Sequence, residues 1–155
     1  MNVRAGTLDD IPAVLPLVAK TVAFHDKLDP ARFAAVPGAH LRYEAWIRRG
    51  IDSGLSAFFV AEEGGTLIGF ILGQVQDEYG MYQLGRYGML HDLWVEPEHR
   101  RKGAGRGLVQ AALERFRQAG VGQARLDTAA GNLAAQQLFA ACGFRASTIE
   151  MLAEL

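Results

Sequence analysis

The sequence predicts an α+β fold: a central mixed, mostly antiparallel sheet with helices on both faces. Three observations predict it. Residues 56–61 and 66–74 are apolar, strand-like runs joined by Glu62-Glu63-Gly64-Gly65, which reads as an antiparallel hairpin. Residues 89–95 form a further strand that turns through a glycine-rich loop into an amphipathic helix. A second strand–helix unit then follows, so helices and strands mix without strict alternation.

The elements follow in order. Residues 2–5 read as a short first strand. Thr7-Leu8-Asp9-Asp10 offers helix-capping groups, with acids where the positive helix end favours them. Ile11, Val14, Leu15, Val18 and Val22 then recur at helical spacing. Pro16 removes an interior hydrogen bond, so a kink or a later start is expected there. His25-Asp26-Lys27-Leu28-Asp29-Pro30 is read as a polar break, and residues 39–51 as a second helix ending near Gly54. After the hairpin, residues 76–87 form a polar connection. Pro97 ends the strand at 89–95, because it cannot donate to a ladder. The helix after the glycine loop turns Leu108, Ala112 and Phe116 to one face and stops at Gly120. Residues 123–128 read as a strand and 132–142 as a helix closed by Gly143. Residues 144–155 are expected to add one or two final strands. No linker divides the chain, so residues 1–155 read as one domain.

Composition narrows the function classes. Half of the residues are apolar, as in globular proteins, and 155 residues bury a core without disulfides or metals. Bases and acids nearly balance, at formal charge -1, which argues against nucleic acid or an anionic membrane as the main partner. Cys142 is the single cysteine, the first residues lack a signal peptide's apolar run, and no stretch reaches the ~18 apolar residues of a membrane span. A cytoplasmic location is expected.

Between the strand and the helix lies Arg100-Arg101-Lys102-Gly103-Ala104-Gly105-Arg106. A loop opening a helix presents free backbone N–H groups, and the helix dipole adds positive character there. Gly103 and Gly105 let the backbone approach phosphate oxygens, and Arg100, Arg101, Lys102 and Arg106 supply charge for two phosphates. A basic surface turn before an ordinary helix gives the same string. A nucleotide P-loop fits poorly, since Gly105-Arg106-Gly107 ends without the Ser or Thr that binds magnesium. A dinucleotide fold wants its glycine loop in an early βαβ unit, whereas this one follows a hairpin.

Leu93-Trp94-Val95-Glu96-Pro97-Glu98-His99-Arg100-Arg101-Lys102-Gly103-Ala104-Gly105 resembles the strand and pyrophosphate loop of GNAT-superfamily N-acetyltransferases. Asn132-Leu133-Ala134-Ala135-Gln136-Gln137-Leu138-Phe139-Ala140-Ala141-Cys142-Gly143-Phe144 resembles their later motif, and Val3-Arg4-Ala5-Gly6-Thr7 with Asp10 resembles their opening. The resemblance implies the acyl-CoA N-acyltransferase fold and acetyl-CoA as cofactor. It implies that backbone groups near Leu93 and Val95 pair with the pantetheine arm. It implies that the residues from Arg100 to Arg106, Ala104 among them, surround the pyrophosphate. Asn132 matches a cofactor-contacting position and also suits a helix cap. Phe139 stands where the family has a tyrosine proton donor, a departure that removes the usual acid. Homodimers through sheet edges and C-terminal strands are a further implication.

Amine acetylation needs a neutral amine, and a lysine-like amine with a pKa near ~10.4 is almost wholly protonated at neutral pH. His91 and Asp92 are the candidate bases. Adjacent strand residues face opposite sides, so one of the two is expected in the cleft. His91 is favoured, because the resemblance often places a glutamate there and an imidazole with a pKa near ~6.5 suits base work. A packed, hydrogen-bonded sheet histidine is the bland reading. Acceptor-pocket candidates are His25, Asp29, Tyr79 and Tyr87, whose bland reading is solvated loop or packing. The expected activity is acetyl transfer to a primary amine of a small molecule. A peptide acetyltransferase and a non-catalytic acyl-CoA-binding module remain open alternatives.

Overall fold

The computed structural model describes all 155 residues. Five strands, β1 (Asn2–Ala5), β2 (Ser56–Glu63), β3 (Thr66–Asp77), β4 (Arg86–Val95) and β5 (Ala124–Leu126), lie side by side in that order. The first four pair antiparallel and β5 pairs parallel to β4. The helices are α1 (Ile11–Leu28), α2 (Pro30–Phe33), α3 (Leu41–Ser53), α4 (Ala104–Gln118) and α5 (Leu133–Ala141).

Two apolar layers sandwich the sheet. On one face Leu108, Val109, Ala112 and Phe116 of α4 cover Ile71, Val75, Leu90 and Val95. On the other, Ile11, Val14, Leu17 and Val18 of α1, with Ile47 of α3, cover Phe58, Val60, Phe70, Leu72 and Trp94. Gly88 brings α4 close, since a Cβ there would lie 2.3 Å from Cδ2 of Phe116.

The helix α1 runs unbroken through Pro16 and continues over His25 to Leu28, where a polar break was expected. An interior proline costs about 3 kcal/mol. Each buried aliphatic side chain returns about 1.5–3 kcal/mol, and α1 buries Ile11, Val14, Leu17 and Val18. The break comes instead at Asp29, before the short α2. Upstream, Arg4 holds Asp10 with two bonds of 2.8 Å, and Asp10 accepts from the Thr7 amide at 2.8 Å, fixing the entry to α1.

The expected final strands are absent: residues 142–155 have no regular structure, and Ile149, Met151 and Leu155 are exposed. The β3–β4 connection is also tighter than expected, because β3 reaches Asp77 and β4 begins at Arg86. No helix is long and apolar enough to cross a membrane.

Candidate active site

The strand β4 carries the site. Its partner β5 pairs only with Gly88, Met89 and Leu90 and ends at Leu126. From His91 to Val95 the β4 edge on that side is therefore open, roughly 13 Å of strand at the usual rise. The other edge is filled by β3, with Leu93 opposite Ile71 and Val95 opposite Gly69. Backbone groups of Leu93 and Val95 thus border a gap in the sheet.

The open edge leads into the glycine loop. Gly103 takes φ 95°, a left-handed conformation suited to glycine, and Arg101 takes φ 61°. The N–H groups of Arg101, Lys102 and Gly103 donate to no backbone carbonyl. Those of Ala104, Gly105 and Arg106 open α4, where no preceding turn supplies acceptors, and no side chain caps the helix. Gly105 lies under α5, where a Cβ would meet Cδ2 of Leu138 at 3.0 Å. Arg101, Lys102 and Gly103 are exposed and Ala104 is buried. This run of unpartnered donors at a helix N-terminus, beside the Arg101, Lys102 and Arg106 side chains, fits a doubly phosphorylated group. Arg100 behaves differently. Its Nε donates to the Val95 carbonyl at 2.8 Å and its guanidinium stacks over Trp94 at 4.8 Å, so it braces the loop from within.

At the start of the open edge, β4 bulges. Leu72 faces Asp92 and Gly73 faces Leu90, so His91 is the extra residue. The alternation resets there. Gly88 and Leu90 face α4, as do Leu93 and Val95, while His91 and Asp92 both turn toward α3. The expectation that only one of the pair reaches the cleft is thereby corrected. Both line a cavity of about 390 Å³ with Arg42, Tyr43 and Trp46.

Electrostatics separates the two groups. Burial pushes the Asp92 carboxyl above its ordinary value, against the opposing pull of the Tyr43 hydroxyl, His91 and His25. Burial pushes the His91 imidazole down, against Asp92 and Asp127. Burial first, and then the Asp92 charge, raise the Tyr43 phenol well above its usual range. The His91 ring also packs edge-on against Trp46, with centroids 4.9 Å apart.

Other sequence candidates lie further off. His25 bonds the Thr21 carbonyl through Nδ1 at 2.9 Å and packs on Phe33; it reaches the cavity only through its charge on Asp92. Asp29 joins α1 to α2, and Tyr79 is 77% exposed on the β3–β4 turn; neither lines the cavity. Tyr87 is half-buried beside the cavity, its hydroxyl donating to Gln76. Asn132 caps α5, its Oδ1 accepting from the Ala135 amide at 3.2 Å. Phe139 is buried against Phe144 and offers no proton. Cys142 is half-buried, and burial raises its thiol despite Arg106 nearby.

Sequence reasoning missed Arg42, Tyr43 and Trp46. The i, i+3 pair Tyr43 and Trp46 is an aromatic stripe on one face of α3, the one signal that pointed to a wall there.

The model of the Acetyltransferase (GNAT) family matches residues 22–144. The chain belongs to the GNAT acetyltransferase family. As a GNAT protein it is an acetyl-CoA-dependent N-acetyltransferase. The N-acetyltransferase YhfO of Bacillus subtilis is 29% identical over 148 residues, covering 96% of this chain and 92% of the relative. A tetramutant of the BH1408 protein of Bacillus halodurans shares the fold at TM-score 0.84 and 19% identity, covering 100% of this chain and 100% of the other. AAC(6')-Iy in complex with the bisubstrate analogue CoA-S-monomethyl-acetylneamine aligns at TM-score 0.75 and 19% identity, covering 99% and 97% of the two chains.

Proposed function

We propose that this GNAT protein transfers the acetyl group to a primary amine of a small molecule. The cavity between α3 and β4 carries the reading: about 390 Å³, walled by Tyr43 and Trp46, with His91 and Asp92 on its floor. That size lies in the range of small-ligand pockets.

When bound, acetyl-CoA supplies an activated thioester carbonyl. The amides from Arg101 to Arg106, with the Lys102 and Arg106 side chains, hold its phosphates, and Arg100 keeps the loop against β4. Leu93 and Val95 line the arm through their backbone along the open strand edge. Asn132 and Phe139 shape the far side of the gap, Asn132 by capping α5 and Phe139 by filling its base. His91 and Asp92 handle the proton that the incoming ammonium must lose. The Tyr43 and Trp46 rings exclude water from one side of that exchange and offer faces to a cationic amine.

The test is a panel of acceptors supplied with acetyl-CoA: small primary amines, amino sugars and short peptides. Thiol release and the mass of the products are read together. A small amine gaining one acetyl group is the expected result. Acetylation of peptides alone would reject the small-molecule reading. Coenzyme A binding without transfer to any amine would reject catalysis.

A further inference from the structure

One polar chain crosses three strands on the α3 side of the sheet, and the loop and base assignments above do not use it. Arg125 of β5 lies over the Tyr87 ring of β4, its guanidinium carbon 4.1 Å from the centroid. The same guanidinium is anchored by Glu78 and, at 2.7 Å, by the Gln123 side chain. The Tyr87 hydroxyl donates to Oε1 of Gln76 at 3.1 Å. With the amide oxygen engaged by that hydroxyl, Nε2 of Gln76 faces Nε2 of His91 at 3.2 Å. An amide nitrogen only donates, and the ring nitrogen it meets must accept. The neutral ring then carries its proton on Nδ1, which has no partner in the protein.

We propose that Gln76, oriented by Tyr87, is a positioning residue that holds His91 as the neutral Nδ1–H imidazole. His91 therefore enters the reaction as a hydrogen-bond donor, and Asp92 takes the amine proton. This assignment rests on the acetyl-transfer reading and divides the labour within its His91–Asp92 pair.

The charges around the ring agree. Asp92 on the same strand, Asp127 after β5, and Arg42 and Tyr43 on α3 are the charged or titratable groups facing it, with His25 of α1 reaching it through Asp92. The two aspartates favour the imidazolium; burial and the Gln76 donor oppose it. With its acceptor nitrogen taken by Gln76, the neutral ring has no free lone pair, and the Asp92 carboxylate beside it in the cavity is the group left to accept a proton.

The ammonium gives one proton to the Asp92 carboxylate. The freed nitrogen pair forms the C–N bond, and the carbonyl oxygen that gains charge accepts the His91 Nδ1–H bond. The C–S bond breaks with its electron pair on sulfur, and the second N–H proton goes to that sulfur. Asp92 then returns its proton to solvent.

Nitrogen-15 NMR of the free protein tests the assignment without any turnover. The expected signals show His91 neutral at pH 7 with its proton on Nδ1. A proton on Nε2 would overturn the proposal, and the wild-type spectrum alone decides this. In Gln76→Glu the facing group can only accept, so the His91 titration should rise by about one to three pH units and the proton move to Nε2. Gln76→Leu and Tyr87→Phe should each weaken the Nδ1–H preference. A His91 titration unmoved by Gln76→Glu would also overturn it. Either NMR outcome is independent of whether any amine is acetylated, so failure of the tautomer and failure of the acetyl-transfer reading are distinguishable.

Discussion

Replacing Gly103 by alanine separates a loop that binds phosphates from a loop that merely turns. Gly103 sits at φ 95°, and the only atom within 4 Å of an added Cβ is the Met1 methyl at 3.9 Å. Alanine therefore meets no clash, and the cost is the backbone term, about 1–2 kcal/mol for an L-residue in left-handed space. Where that cost registers depends on what holds the loop. The Gly103 carbonyl is tied, accepting from the Gly107 amide at 2.9 Å, but the N–H groups of Arg101, Lys102 and Gly103 have no backbone acceptor, so the amide side of the free loop can relax from the strained shape. The strain returns when the loop must close on phosphate, and coenzyme A affinity should fall about 5- to 30-fold at 1.4 kcal/mol per decade. Gly120, at the other end of α4, is the matched control. It takes φ 78° with nothing near an added Cβ. It is pinned, however, because its amide donates to Arg117 at 2.9 Å and the next amide, Val121, donates to Phe116 at 3.2 Å. Gly120→Ala should therefore lower the melting temperature by roughly 2–8 °C and leave affinity unchanged. Titration calorimetry with coenzyme A and thermal unfolding, run on both variants, give the two readouts. Wild-type affinity in Gly103→Ala, or an equal loss of affinity in Gly120→Ala, would refute the phosphate-loop assignment.

Two further outcomes test the frame around the site. Asp10 is nearly buried, and the Arg4 guanidinium holds its carboxyl down at about 2, against an ordinary 3.8. Its folded-state pKa is depressed, so its stabilisation is complete above the ordinary value and is lost as pH falls toward 2. The shift corresponds to about 2 kcal/mol. Asp10→Asn should remove that amount at neutral pH and flatten the decline between pH 4 and pH 2 in urea unfolding; an unchanged decline would reject the pairing. Gly88→Ala would drive a methyl into the Phe116 ring, 2.3 Å from Cδ2, and should destabilise the fold by about 1–3 kcal/mol. An unaltered melting curve would mean that α4 does not dock against β4 as described.

The loop was legible in the sequence because its physics is local. Residues 93–105 are contiguous, and their strand, proline turn, glycines and cations each point the same way without knowledge of distant partners. The cavity was not, because each of its features depends on pairing or packing across the chain. Strict alternation separates His91 from Asp92, and only the β3 register, slipping between Leu72 and Gly73, brings them to one side. Tyr43 and Trp46 come from α3, which β2 and β3 separate from β4 along the chain. The tail failed in the opposite way. Residues 144–155 were expected to add one or two strands, but a strand needs a partner, and the sheet ends at β5. The same dependence limits what β4 itself reveals. From Asp92 to Val95 the strand is paired to β3 along one edge and left open by β5 along the other, with His91 bulged at the start of the gap. The candidate site therefore sits where a ladder stops, and a stopped ladder is a property of two strands that neither one's sequence displays alone.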